Sequence, residues 1–195
     1  MLNTTQGFRG AVTAPHHLAA QAGQDILAEG GSAVEAMVAM AATIAVTYPH
    51  MNGIGGDGFW LIKRKDAPVQ AIFAGGHSAA LASRVWYEAA GFTDAIPTRG
   101  AKAALTVPGS VDGWRAALEA APSATPLPLS RLLEHAIYHA EAGFPVSNNQ
   151  SQCIADKIDG LKDVPGFADT YLFGGTIPVA GARFTQPALA ATLRQ

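Results

Sequence analysis

Disulfides, charge and long apolar runs are what this sequence has least of. One cysteine, Cys153, occurs among 195 residues. No internal disulfide can form, and a reducing compartment, the cytoplasm, is the expected setting. Charged residues make up 14% of the chain, against about 25% in an ordinary soluble domain; so little charged surface is expected to be covered in part by a partner. The net charge of -2 comes with no basic stripe, so nucleic acid is not an expected partner. The longest apolar run, Val34 to Val46, falls short of the roughly 20 residues that span a bilayer. The opening MLNTTQGFRG has no apolar stretch of the kind a secretory signal needs. Neither a membrane nor export is expected.

What is present is apolar and patterned. A hydrophobic content of 49% excludes disorder. Thr13 as N-cap, Pro15 in the first turn and the spacing of Leu18, Ala22 and Ile26 predict a helix that stops at Gly30-Gly31. Ser32 and Glu35 have the capping-box spacing for a second helix. From Ala33 to Val46 that helix is apolar on every side, so it must be buried on every side. Pro49 ends it.

A glycine-dense loop, Asn52 to Gly58, precedes a predicted hairpin with arms Phe59–Lys63 and Val69–Phe73. A second loop, Ala74-Gly75-Gly76-His77, leads to a helix expected over Leu81–Ala90. Further helices are expected over Val111–Ala120, from a Ser130 cap to Gly143, over Asn148–Ile158, and from Thr185-Pro187 onward. The last still reads as helix at Gln195, which predicts an incomplete domain: residues 1–195 as one portion of something longer.

Several residues invite a chemical role. Gly53-x-Gly55-x-x-Gly58 has the spacing of a dinucleotide fingerprint, but that fingerprint follows a strand and opens a helix, and here the order is reversed. A tight backbone turn that something approaches closely is the better expectation. Asp57 within it is a turn former or a polar contact. Gly76-His77-Ser78 half-matches a nucleophile elbow whose final glycine is missing. Such a site needs a later histidine, and only His135 and His139 follow. These two share a helix side at i, i+4 without the glutamate of a metalloprotease motif. His16-His17 is expected to pack, because a helix N-terminus disfavours a protonated imidazole. Cys153 is expected to be a structural thiol. No catalytic group is convincing on residues alone.

The ordered signals also resemble a family. The segment RGAVTAPHHLAAQAGQDILAEGGSAVEAMVAMAATIAVTYPHMNGIGGDGFWLI resembles the N-terminal part of the γ-glutamyltranspeptidase family, whose pattern runs R-G-x-V, E-G-G-N-A-x-D-A and G-x-G-G-G-G-F. ALTVPGSVDGW (104–114), HAEAGFPVS (139–147) and FTQPALAATLRQ (184–195) follow in the family's order. The resemblance implies an α/β fold, part of a four-layer αββα N-terminal-nucleophile hydrolase sandwich. It implies a precursor that cleaves itself into a large and a small subunit. The freed threonine of the small subunit attacks an amide, with its own α-amino group as base. No metal or organic cofactor is implied. The implied partners are a small-molecule amide substrate, the rest of the large subunit and the small subunit. The nucleophile lies beyond residue 195, so no catalytic residue is assigned in this chain, and the chain alone is expected to be inactive.

One departure bears on substrate. Family members that act on γ-glutamyl groups carry a D-F-R-E-like pattern after the hairpin, and its arginine grips the α-carboxylate with a planar fork. Here Phe73-Ala74-Gly75-Gly76 stands in that place, and the nearest downstream arginine is Arg84. Gly75, Gly76 and His77 are therefore the candidate substrate-facing residues, with His77 available to bind a smaller acid. Asp57, where the family has glycine, points the same way. The implied activity is γ-glutamyl transfer or hydrolysis. The alternatives are a small-amide hydrolase of the oxamate amidohydrolase kind on the same scaffold, or a non-catalytic truncated homologue acting as a scaffold.

Overall fold

The computed structural model describes residues 6–195. The expectation about a leader rests on residues 1–10, and 1–5 of these lie outside the described residues. Helix α1 (His17–Ala28) and helix α2 (Ala33–Thr47) form a hairpin turned at Gly30, whose φ of 92° suits glycine. The cap of α1 is His16, not Thr13. Ala14 precedes Pro15 and is thereby disfavoured in helical geometry, so the helix starts later. The His16 Nδ1 accepts the Leu18 N–H at 3.3 Å.

Helix α2 has its expected capping box at Ser32 and Glu35. Its whole length is buried except at Ala33, Met37 and the half-buried Ala41. Glu35 is itself buried. Its carboxylate accepts the Ser32 N–H at 2.6 Å and, across the fold, the Leu127 N–H at 2.7 Å. Burial opposes the charge, and these backbone hydrogen bonds outweigh it and hold the carboxyl below its ordinary range.

Strands β1 (Gly58–Ile62) and β2 (Gln70–Ala74) pair antiparallel as expected, with Trp60 opposite Ile72. Helix α3 (Arg84–Ala89) is shorter than the predicted Leu81–Ala90, because the Ser83 hydroxyl accepts the Trp86 N–H at 3.2 Å and starts the helix there. Helix α4 (Ser110–Ala120) packs under the hairpin, where Val34, Ile62 and Ala117 form a small cluster. Helix α5 (Leu129–Ala142) is capped at Pro128 rather than Ser130, since the Pro128 carbonyl already accepts the Arg131 N–H at 2.9 Å. The short strands β3 (Phe144–Pro145) and β4 (Arg183–Phe184) pair with each other. Between them lie α6 (Asn148–Lys157) and α7 (Phe167–Tyr171), and α8 (Pro187–Arg194) closes the described chain.

The main core forms where α1 and α5 pack on α2 and α8 packs on α5, around Ile26, Val38, Leu132 and Phe184. Gln186 ties these layers together: its N–H donates to the Ala140 carbonyl and its side chain to the Val46 carbonyl. No helix among the described residues is long and apolar enough to cross a membrane.

The cap of α1 makes stability depend on pH. Burial first, then the neighbouring His17, His139 and His50, pulls the His16 pKa from 6.5 to about 4. Between those values the unfolded chain takes up a proton that the folded chain refuses. The cap's contribution is complete above 6.5 and is lost as pH falls toward 4. His16→Asn keeps a capping acceptor without the titration. In the full-length protein it is expected to flatten the fall of the thermal midpoint across that window; an unchanged slope contradicts this account. Glu35→Ala, which strands two N–H groups, is expected to cost about 2–3 kcal/mol in urea unfolding.

Candidate functional site

Three backbone segments meet at the end of the hairpin that joins Gly58 to Ala74. The first is the glycine loop leaving α2, the second is Ala74 to His77, and the third is the stretch entering α4. Gly109 and Ser110 both donate their N–H groups to the Gly56 carbonyl at 3.0 Å. The Ser110 hydroxyl donates to the Asp57 carbonyl at 2.8 Å. Val107 donates to the His77 carbonyl at 2.9 Å and Ala79 to the Leu105 carbonyl at 3.0 Å, with a bridge between Ser78 and Thr106.

The glycines differ sharply in what they permit. A Cβ on Gly76 would sit 1.6 Å from the Val107 carbonyl oxygen, and one on Gly109 would sit 2.3 Å from the Ala74 oxygen. Both positions are backbone against backbone, with nothing flexible to yield. A Cβ on Gly75 would meet only the Phe73 ring, at 2.7 Å, and that side chain is exposed and free to turn. Gly53 and Gly55 face open space and have no positive φ. The expectation of a closely approached tight turn, made for the Asn52 to Gly58 loop, fails at Gly53 and Gly55, where this chain brings nothing near; the close backbone approaches lie instead at Gly76 and Gly109.

The candidate residues thus fall into two groups. Gly76 is pinned, and Gly75 lies beside it with room for a side chain. His77 uses its carbonyl in the ladder and has its side chain exposed. Asp57 lines a cleft of about 240 Å³ with Asn52, Trp60, Ser110 and Trp114. Arg84 is held by Glu88 on its own helix at 2.7 Å. The third wall, Val107 to Ser110, was visible in the sequence only as part of the motif ALTVPGSVDGW (104–114), with no site role assigned to it.

The other candidates disperse. The first glycine loop runs from a helix to a strand, which removes the dinucleotide reading. Ser78 lies in a bridge well before α3, so there is no elbow. His135 pairs with Asp25 on α1 at 3.1 Å, and its ring lies 6.2 Å from that of His139. Among the described residues no three metal-ligating side chains are grouped to hold an ion. Cys153 is a free, half-buried thiol on α6.

Gly76→Ala is expected to break the Val107 to His77 ladder and to cost more than about 2 kcal/mol of stability in the full-length protein. Gly55→Ala, facing open space, is expected to leave the thermal midpoint in place. Equal tolerance at both positions, measured by thermal unfolding, contradicts the packing described.

The chain matches known proteins in sequence and in fold. Residues 19–195 match the family described as Gamma-glutamyltranspeptidase. The chain is 52% identical over its full length to oxamate amidohydrolase proenzyme of Klebsiella pneumoniae subsp. pneumoniae, covering 37% of that protein. It is 42% identical to glutathione hydrolase-like YwrD proenzyme of Bacillus subtilis over 96% of its length, covering 35% of that protein. It superposes on Helicobacter pylori γ-glutamyltranspeptidase with a TM-score of 0.88 and 27% identity, covering 98% of this chain and 55% of that one. On γ-glutamyltranspeptidase from Pseudomonas nitroreducens complexed with L-DON the TM-score is 0.81 and the identity 36%, covering 97% of this chain and 54% of that one. The chain spans little more than a third of the length of these curated relatives and about half of the solved chains. The mixed α/β class expected from the sequence holds. By the family match and by relatives similar over nearly all of its length, the chain belongs to the gamma-glutamyltranspeptidase family.

Proposed function

We propose that residues 1–195 are the N-terminal part of the large subunit of an autoprocessed amide hydrolase, and that its substrate is a small amide of the oxamate kind. The carrying observation is the Phe73 to His77 loop. Where the family pattern puts an arginine fork, this loop has Gly75, a pinned Gly76 and an exposed His77. In a γ-glutamyl group the carboxylate lies several bonds from the amide carbonyl, and a long cationic side chain reaches it. In oxamate the carboxylate is bonded directly to the amide carbonyl. A grip built for the first is misplaced for the second. His77 is the group of this loop suited to a short acid. The identity to a protein named oxamate amidohydrolase supports the same substrate class.

The chemistry follows from the nucleophile that the family resemblance implies, supplied by the small subunit. Its threonine hydroxyl attacks the amide carbon, and its α-amino group takes the proton and passes it to the leaving ammonia. Water then hydrolyses the oxalyl ester to oxalate and restores the threonine. The residues of this chain hold and shape the substrate side of that site.

The exposed area supports a chain completed by further sequence. The surface is 12290 Å², whereas a compact protein of 20.1 kDa has about 8,700 Å². A cytoplasmic location belongs to the same reading and is supported by the lone Cys153.

In the full-length protein, kcat/KM for oxamate is expected to exceed that for a γ-glutamyl anilide by about 100-fold or more, and intact mass is expected to show two subunits from one precursor. Preference for the anilide removes the substrate assignment. His77→Ala is expected to lower kcat/KM for oxamate about tenfold, a loss of about 1.4 kcal/mol, with an unchanged thermal midpoint. An unchanged kcat/KM removes His77 from the site.

A further inference from the structure

Histidines gather at one corner of the fold. Of the six in the chain, all but His77 lie where the start of α1, the end of α2, the second half of α5 and the start of α6 meet. His16 and His17 stack with ring centroids 4.7 Å apart, and His135 and His139 stand 6.2 Å apart on α5. His50, just past α2, packs edge-on against Tyr48 at 4.2 Å. Positive charge on His16 is opposed by His17, His139 and His50 together, and charge on His139 by His135 and His17. Negative charge is scarce there. Asp25, 3.1 Å from His135, is the one carboxylate in contact with a histidine among the described residues. On α1 and α5, Glu29 and Glu134 pair with Arg131, and Glu141 pairs with Arg194 of α8. Strand β3 presents the Phe144 ring to His16, and α6 presents Asn149 and the cation Lys157 to His50.

The hydrogen bonds of this corner need neutral rings. The His16 Nδ1 accepts the Leu18 N–H, so that nitrogen carries no proton. The Asn149 Oδ1 accepts from the Tyr48 hydroxyl at 3.0 Å and from the His50 Nε2 at 2.6 Å. A donating Nε2 leaves the His50 Nδ1 bare, and that nitrogen is buried with no partner among the described residues. A proton added to the His16 Nδ1 would face a donor, and one added to the His50 Nδ1 would face nothing that accepts it. Burial, the first cause in each case, lowers the pKa of His16, His50 and His139, to about 4 for His16. The segment best able to yield is the glycine loop. From Pro49 to Gly55 its backbone makes one hydrogen bond among the described residues, from the Met51 N–H to the Tyr48 carbonyl at 3.1 Å. The His50 bond to Asn149 ties that loop to α6.

We propose that His16, His50 and His139 form an acid-operated latch on the glycine loop. Neutral, the rings pack together and His50 fastens the loop to Asn149. Protonated, they repel one another, the cap of α1 is lost and the loop comes away from α6. The sign follows from burial. The open form binds protons near the ordinary 6.5, and the latched form binds them only at lower pH. The latch is closed above 6.5 and opens as pH falls toward 4, and one opening takes up about two or three protons. The far end of the loop is the Gly56 carbonyl, which accepts the Gly109 and Ser110 amides, so release is expected to loosen the candidate site and to lower turnover. That consequence rests on the proposed function; the latch itself does not.

The test is amide exchange on the full-length protein from neutral pH down to about 4.5, each rate divided by that of the unstructured chain at the same pH. The amides of Leu18, Tyr48 and Met51 border the cluster and are hydrogen-bonded, and Val38 lies at the centre of α2. Protection at the three border amides is expected to hold above 6.5. Below that it is expected to fall more steeply than about tenfold per pH unit, the mark of more than one proton, while Val38 stays protected. His50→Gln keeps a donor for Asn149 without the titration, and its fall is expected to be shallower. A fall of about tenfold per pH unit or less in the unsubstituted protein overturns the latch. So does loss at Val38 in step with the border amides, and so does unchanged steepness in His50→Gln. Should that variant not fold, the unsubstituted protein decides alone. Turnover is scored separately. A protein that opens steeply and locally without hydrolysing any amide keeps the latch and loses the proposed function. One that hydrolyses oxamate with no such opening does the reverse.

Discussion

Helix α2 has no polar face, and the rest of the architecture answers to that. An all-apolar helix is stable only when covered on every side, so α1, α5 and the hairpin with α4 are arranged around it. Its one buried charge, Glu35, closes the capping box and also fastens the loop that leads to α5. At its other end Pro49 throws the chain out into the glycine loop, and the Gly56 carbonyl is caught by the first amides of α4. The ends of one helix thus position both the bundle and the candidate site.

Much of this was legible because the signals are local. The capping box of α2, both hairpin strands, α4 and α6 fall within a residue or so of where the sequence puts them. The errors occur where one local signal overrides another. Pro15 cancels the cap at Thr13 and leaves His16 to serve, while Ser83 starts α3 later than its apolar pattern and Pro128 caps α5 earlier. The candidate site was only half legible. Gly75, Gly76 and His77 stand out in the sequence, but the reason Gly76 is glycine lies in Val107, on a segment that no spacing rule connects to it. The glycines at 53 and 55 drew attention by their density, and the described chain gives neither a steric duty.

The proposal that this chain is part of a longer protein accounts for both the thin charge and the large exposed area. On that proposal, fourteen per cent charged residues suffice because the exposed hairpin face would be covered by further sequence. Phe59, Leu61 and Phe73 are exposed here although nothing in their chemistry suits them to water. On the same proposal the candidate site lies at the rim of this portion, where its walls are backbone and its few side chains point outward.

The central claim is that the Phe73 to His77 loop sets the substrate class by lacking the arginine fork. Gly75 offers the direct test, because a side chain there meets only the movable Phe73 ring. Steady-state kcat/KM of full-length Gly75→Arg should rise for a γ-glutamyl anilide and fall for oxamate relative to the unsubstituted enzyme. If both values stay unchanged in a stably folded variant, the loop does not choose the substrate and the account is wrong.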